Sequence, residues 1–180
     1  MKRNIYNKLL EWKNDDYRKP LMLEGARQVG KTFILKQFGA SEFKDMVYIN
    51  CHRNEFINTL FAQDFDVERI VRGLSAFASK TITAGETFIF LDEVQEDPRV
   101  VASLKYFCEE IPELHIAVAG SLLGLLDHED ESFPVGKVNI LRMYPMTFEE
   151  FLGGLHKNQM LDLIRSRDWQ LIDALRVQLI

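Results

Sequence analysis

The chain has 180 residues, of which 47% are hydrophobic and 27% are charged, and its formal net charge is −5. This composition is that of a globular domain with a sizeable core, and the negative charge argues against a large nucleic-acid-binding face. The longest nearly apolar run, residues 116–126, is too short to span a bilayer, so a membrane partner is not expected.

Cysteine and histidine positions argue against a disulfide or metal scaffold. Cys51 and Cys108 lie far apart, and the four histidines show no ligand-type spacing. Free thiols in a reducing compartment are the default for such a pattern. The first residues are polar rather than the apolar stretch of a secretory signal. We therefore expect a cytoplasmic protein.

Strands and helices are predicted to alternate along the chain. Short apolar runs predict strands at 20–23, 46–50, 87–92, 114–119 and 138–144. Helical periodicity and capping residues predict helices at 4–13, 33–38, 54–62, 66–79, 98–110 and from 148 onward. Gly39 is expected to end the second helix. Such alternation is typical of a parallel α/β sheet covered by helices on both faces.

The segment Gly25–Thr32 fits G-x-x-x-x-G-K-[ST], the phosphate-binding P-loop. Its glycines let successive N–H groups turn toward phosphate oxygens, and the following helix points its positive end at the same anion. Lys31 is expected at the β- and γ-phosphates, and Thr32 at Mg²⁺. The predicted nucleotide-binding residues are Gly25, Ala26, Arg27, Gln28, Val29, Gly30, Lys31, Thr32 and Phe33. A glycine turn with an incidental lysine is the alternative.

A second motif, Thr87–Glu93, is an apolar strand that ends in two acids, as in the Walker B pattern. Asp92 would hold Mg²⁺ opposite Thr32. Glu93 would orient an attacking water, because an ordinary glutamate is a weak base at neutral pH. Two solvated acids at a strand end are the alternative interpretation.

Ligands of open α/β sheets bind at the carboxyl ends of the strands. Gly25, Asp92 and Ser121 all fall at such ends, so one site can gather them. By itself, Ser121 could equally be a helix N-cap.

Several segments together resemble the AAA+-like ATPases of a prokaryotic family. They are RKPL at 18–21, GARQVGKT at 25–32, FLDEVQ at 90–95, AGSLLG at 119–124 and FPVGKVNILRMYPMTFEEFL at 133–152. The longer members of that family carry a nuclease-like region of unknown function after the ATPase.

The resemblance implies a three-layer P-loop fold with strand order 5-1-4-3-2 and a helical lid. We therefore expect a nucleotide-binding core at 1–146 and the beginning of a lid at 147–180. The chain ends within an apolar stripe that consists of Trp169, Ile172, Leu175 and Leu179. This stripe favours a domain that continues past Ile180; a helix docked on the core is the alternative.

The resemblance also implies roles for single residues. Ser121 matches the polar sensor position beside the γ-phosphate, and Gln95 is expected to hold the Walker B loop unless it is a surface glutamine. Lys137 and Arg142 are candidates for a cation that acts on a neighbouring nucleotide, with a solvated charge as the alternative for both. If the lid contributes an arginine to the site, the candidates are Arg165, Arg167 and Arg176, and the sequence favours none of them.

These patterns predict Mg²⁺-dependent ATP binding and hydrolysis that drives a conformational switch, with Lys31, Glu93 and Ser121 as catalytic residues. A nucleotide-dependent binding module with little hydrolysis and a P-loop kinase are the alternatives. A GTPase is disfavoured because no N-K-x-D motif occurs. Self-association and a further C-terminal domain are open as partners, and nucleic acid has no support in this segment.

Overall fold

The computed structural model describes residues 3–121 and 133–174. The chain divides into two compact units. The larger is Asn7–Tyr144, and the smaller combines Met1–Tyr6 with Pro145–Ile180. The predicted boundary between residues 146 and 147 stays a prediction.

The larger unit is built on one parallel five-stranded sheet. Its strands are β1 (Leu21–Gly25), β2 (Asp45–Asn50), β3 (Thr87–Asp92), β4 (His115–Ser121) and β5 (Asn139–Met143). They lie in the order β5-β1-β4-β3-β2, which confirms the predicted fold class and strand order. Every residue of β1, β3 and β4 is buried. Strands covered on both faces explain why these runs are apolar throughout rather than alternating.

The helices follow the strands along the chain. In order they are α1 (Ile5–Lys13), α2 (Lys31–Glu42), α3 (Glu55–Gln63), α4 (Val67–Ala78), α5 (Pro98–Glu110), α6 (Phe148–Gly154), α7 (Asn158–Ser166) and α8 (Trp169–Ala174). A 3₁₀ turn, Val94–Glu96, joins β3 to α5. None of the helices in the described residues is long and apolar enough to cross a membrane.

The two faces of the sheet carry different cores. Along β3, Phe88 contacts Phe38 of α2 and Trp12 of α1 through edge-to-face ring pairs. The alternate residues Ile89 and Leu91 belong to the cluster shared with α3, α4 and α5. Successive strand side chains point to opposite faces, so this alternation places one helical layer on each side.

Capping residues set the helix starts. The Asp97 carboxylate accepts a hydrogen bond from the Arg99 N–H, with Pro98 in the first turn, as the sequence predicts. Thr147 and Glu150 form the predicted capping box at the start of α6.

Gly39 does not end α2, which continues to Glu42, so this expectation is wrong. The glycine is buried, and a Cβ there would lie 2.5 Å from the Met46 Sδ and 2.7 Å from a Phe88 ring carbon. Gly39 is therefore a site of close helix–sheet approach. A helix-ending glycine and a helix-packing glycine look alike in a single sequence, which explains the error.

In the smaller unit, Glu150 ties the chain's first residues to α6. It accepts a hydrogen bond from the Asn4 N–H at 2.7 Å and pairs with the Arg3 guanidinium at 3.2 Å. Burial favours the neutral acid, but the Asn4 and Thr147 N–H groups and the Arg3 charge outweigh it and lower the pKa of Glu150.

His115 is a buried titratable group at the start of β4. Its ring lies edge-on to Trp12 and Phe43, and its Nε2 is 3.4 Å from the Lys13 carbonyl oxygen. Burial, with smaller contributions from the Arg18 and Lys13 charges, lowers the pKa of His115 from 6.5 to about 4. The folded protein therefore holds this histidine neutral.

We expect His115 to make stability depend on pH. Between pH 6.5 and 4 the unfolded chain binds a proton that the folded chain excludes, so this contribution is complete above pH 6.5 and is lost on acidification. At pH 5 the loss is about 2 kcal/mol. Urea unfolding of wild type and His115→Phe at pH 7.5 and pH 5 measures it. An equal loss of unfolding free energy in both proteins would contradict the assignment.

Candidate functional site

Strand register brings the predicted residues to one edge of the sheet. The last residue of β1, Gly25, pairs with Ser121 at the end of β4. The last residue of β3, Asp92, pairs with Ala119 on β4 and Asn50 on β2. The carboxyl ends of four neighbouring strands therefore meet around the loop that follows β1.

The P-loop needs its two glycines for different reasons. A Cβ on Gly25 would overlap the Met143 carbonyl oxygen on β5, so only glycine fits there. Gly30 has φ 97° and ψ 23°, a left-handed conformation that precedes α2. Gln28 is also left-handed, at φ 64°. A Val29 methyl carbon would lie 3.3 Å from a Cβ on Gly25, so the Val29 side chain is close to the start of the loop.

The Lys31 side chain extends from the start of α2 back to the beginning of the loop. Its Nζ donates to the carbonyl oxygens of Gly25 at 2.8 Å and Ala26 at 2.9 Å. Burial lowers the pKa of Lys31, whereas the charges of Glu93 and Asp92 oppose that shift. The ammonium thus stands beside the loop, where its two carbonyl contacts could be exchanged for an anion that neutralises its charge.

Thr32 and Asp92 lie in direct contact. The Thr32 hydroxyl donates to the Asp92 Oδ2 at 2.7 Å, and the Tyr48 hydroxyl donates to the same oxygen at 3.4 Å. The Glu93 N–H donates to Oδ1 at 3.0 Å. Burial raises the pKa of the Asp92 carboxyl group, and the Glu93 charge raises it further. The hydrogen bonds lower the pKa, but by less.

Tyr48 is a site residue that the sequence analysis missed. It lies on β2 beside β3, and the Lys36 ammonium sits 3.5 Å above its ring. Its only signal in the sequence is the two-residue spacing from Asn50, which puts both on one face of the strand. No motif points to it.

Glu93 is connected to the next strand through Gln95. The Gln95 Nε2 donates to the Glu93 Oε2 at 2.5 Å, and its Oε1 accepts from the Ser121 N–H at 3.2 Å. The three residues therefore form one polar network, which supports Gln95 as a site residue rather than a surface glutamine.

The donor set suits Mg²⁺. The Thr32 hydroxyl and the Asp92 carboxylate are adjacent hard oxygen donors, and a cation would offset the burial that disfavours the Asp92 charge. Within the described residues, no group of three or more His, Cys, Asp or Glu side chains gathers that could hold a metal alone. Mg²⁺ commonly completes such a shell with phosphate oxygens and water.

A cleft of about 670 Å³ lies beside this group of residues. Its walls are Arg27, Gln28, Gly30, Lys31, Thr32, Phe33, Asn50, His52, Glu93, Gln95, Glu96 and Ser121. The Phe33 side chain is 64% exposed, so it offers an apolar surface beside the polar loop. Size and lining fit a small anionic ligand with a flat apolar group.

Three of the five candidate cations outside the loop are ion-paired. Lys137 contacts Glu109 at 2.9 Å, and Arg142 on β5 contacts Glu24 on β1 at 3.2 Å. In the smaller unit, Arg165 contacts Glu149 at 3.1 Å. Their predicted roles stay predictions, and Arg176 lies outside the described residues.

Comparisons with known proteins agree with the fold. A family model described as an AAA domain matches residues 17–152. The structure of the Aeropyrum pernix Orc1 protein in complex with DNA is similar at a TM-score of 0.52 and 17% sequence identity. The match covers 87% of this chain but only 48% of that one, and at this identity it shows the fold alone. No curated protein sequence matches.

The close approach at Gly25 predicts a specific loss of stability. Gly25→Ala would force the β1–β5 edge apart and lower the unfolding free energy by about 2 kcal/mol more than Gly136→Ala. Gly136 also has a positive φ, 72° compared with 157° at Gly25, but nothing lies within 4 Å of an added Cβ, so its alanine variant adds backbone strain without a clash. Urea unfolding of both variants measures the difference, and equal losses would contradict the steric argument.

Proposed function

Since this chain belongs to the AAA domain family, we propose that it binds ATP with Mg²⁺ and hydrolyses it to ADP and phosphate. The observation that carries the proposal is the contact between the Thr32 hydroxyl and Asp92 beside the P-loop, with Glu93 in the same cleft. A phosphate cradle, an oxygen pair for Mg²⁺ and a carboxylate for water are the parts that phosphoryl transfer to water needs.

Each side chain has a defined task in this proposal. Lys31 would leave the Gly25 and Ala26 carbonyls and neutralise phosphate charge, assisted by the N–H groups at the start of α2. When bound, Mg²⁺ supplies further charge neutralisation on the phosphate oxygens. Glu93 would accept a hydrogen bond from the attacking water and fix its direction. Ser121 would contact the γ-phosphate or that water.

The hydrolysis is proposed to drive a conformational switch in a larger protein or assembly. The segment from Pro145 onward forms a compact unit of its own with the chain's first residues, which is the organisation that a moving lid requires. Self-association or a further domain would supply the partner, and the predicted cytoplasmic location fits this role.

A nucleotide-dependent binding module with little hydrolysis is the second candidate. What favours it is that neither Lys137 nor Arg142 lines the cleft, since Lys137 pairs with Glu109 and Arg142 pairs with Glu24. Calorimetry with ATP and GTP, followed by phosphate release without an acceptor, separates the candidates. Release supports hydrolysis over a kinase, binding without release supports the binding module, and no binding overturns both.

The role of Glu93 predicts a separation of binding from turnover. Glu93→Gln should leave the Kd for ATP within about threefold and lower kcat at least about 100-fold, because an amide directs water poorly. Titration calorimetry and phosphate release measure the two quantities. Glu68→Gln makes the same chemical change on an exposed face of α4 and should turn over as wild type does. Unchanged kcat in Glu93→Gln would remove Glu93 from the mechanism.

The role of Thr32 predicts the dependence of affinity on Mg²⁺. Thr32→Val keeps the shape but loses the hydroxyl, so the gain in ATP affinity on adding Mg²⁺ should fall about tenfold or more. Thr32→Ser restores the hydroxyl and most of that gain. The ratio of Kd values in EDTA and in excess Mg²⁺ measures the effect. The same ratio in wild type and Thr32→Val would argue against the predicted Mg²⁺ site.

A further inference from the structure

We propose that the Gln95 side chain is a positioning residue that couples the Glu93 carboxylate to the end of strand β4. The inference rests on the proposed hydrolysis and adds a residue that acts through Glu93. It starts from the two hydrogen bonds that one amide makes, one to the residue that follows β3 and one to the last residue of β4.

The two contacts specify one orientation of the amide. A carboxylate accepts hydrogen bonds only, and the Ser121 N–H donates only, so Nε2 must face Glu93 and Oε1 must face Ser121. A flipped amide would put oxygen against the carboxylate and NH₂ against an N–H. Gln95 matches both partners at once, at 2.5 Å and 3.2 Å.

The Glu93 carboxylate needs such a partner because a glutamate side chain has several rotatable bonds, and holding it in one rotamer costs conformational entropy. The Glu93 backbone is also left-handed, at φ 57° and ψ 42°, a conformation that is unfavourable for a residue other than glycine. Among the described residues, the side chain that hydrogen-bonds to this carboxylate is that of Gln95. A hydrogen bond to a charged acceptor is strong enough to select one rotamer.

The second contact ties this orientation to the phosphate cradle. Ser121 pairs in register with Gly25, the first residue of the P-loop. Gln95 therefore bridges the turn after β3 to the strand that adjoins the loop, and Glu93, Gln95 and Ser121 line the same cleft. The direction in which Glu93 holds water is thus set relative to the place where phosphate binds. Removing the amide should impair turnover rather than binding.

Two variants at this position separate its two contacts. Gln95→Met keeps the length of the side chain and loses both hydrogen bonds. Gln95→Glu keeps an oxygen for the Ser121 N–H but replaces the donor to Glu93 with a second negative charge. Gln63→Met, an exposed position at the end of α3, is the matched control.

We expect both Gln95 variants to lower kcat at least tenfold while the Kd for ATP with Mg²⁺, measured by calorimetry, changes less than about threefold. Gln63→Met should match wild type. A purely structural role for Gln95 would instead lower the unfolding midpoint and weaken binding in proportion. If Gln95→Met fails to fold, the isosteric Gln95→Glu decides.

Wild-type kcat in Gln95→Glu would overturn the proposal, because the contact with Glu93 would then be dispensable. Loss of ATP affinity with unchanged kcat would overturn it as well. If wild type binds ATP but releases no phosphate, the proposed hydrolysis fails and this inference fails with it. That outcome is distinct from active wild type with an equally active Gln95→Met, which removes only the role of Gln95.

Discussion

The burial of β1, β3 and β4 on both faces is the constraint on which the rest of the molecule depends. Strands with helices on either side can carry polar groups only where they end. The polar residues of the site, including Asp92 and Ser121, therefore stand at the carboxyl ends of the strands. The parallel register then brings those ends together, because each strand stops at the same edge of the sheet.

Some of the charged groups at that edge are buried in surroundings that disfavour their charged forms. Burial lowers the pKa of Lys31 and raises that of Asp92, so both groups resist their charged forms, and each charge is supported by neighbours of opposite sign or by hydrogen donors. Binding of a multivalent anion together with a cation would be favourable at this site. The anion would neutralise the charge of Lys31, and the cation would neutralise the charge of Asp92. The Thr32–Asp92 and Gln95–Glu93 hydrogen bonds fix the positions of these side chains.

Features that are determined by residues close together in the chain can be predicted from the sequence more reliably than features that depend on distant residues. Strand positions, most helix positions and the caps at Asp97 and Thr147 were predicted correctly, because periodicity and capping chemistry act over a few residues. The strand order is set by pairing between distant segments; it was implied by the family resemblance and is confirmed. Gly39 was misassigned because its role is set by Met46 and Phe88, which approach it only in the folded chain. Residues 122–124, which end the AGSLLG segment, and the sequence DHEDE at 127–131 lie outside the described residues.

By itself, the sequence determined that this chain forms an α/β sheet with a phosphate loop, because glycine spacing and a buried strand that ends in acids are local patterns with few other structural explanations. Only the tertiary structure decided that Tyr48 contacts Asp92, that Gln95 joins Glu93 to Ser121, and that Lys137 and Arg142 are ion-paired. Those contacts join residues on different strands and helices, or depend on how a turn presents its side chains. Strand register and packing determine which residues meet in these contacts, and neither can be inferred from a short sequence pattern.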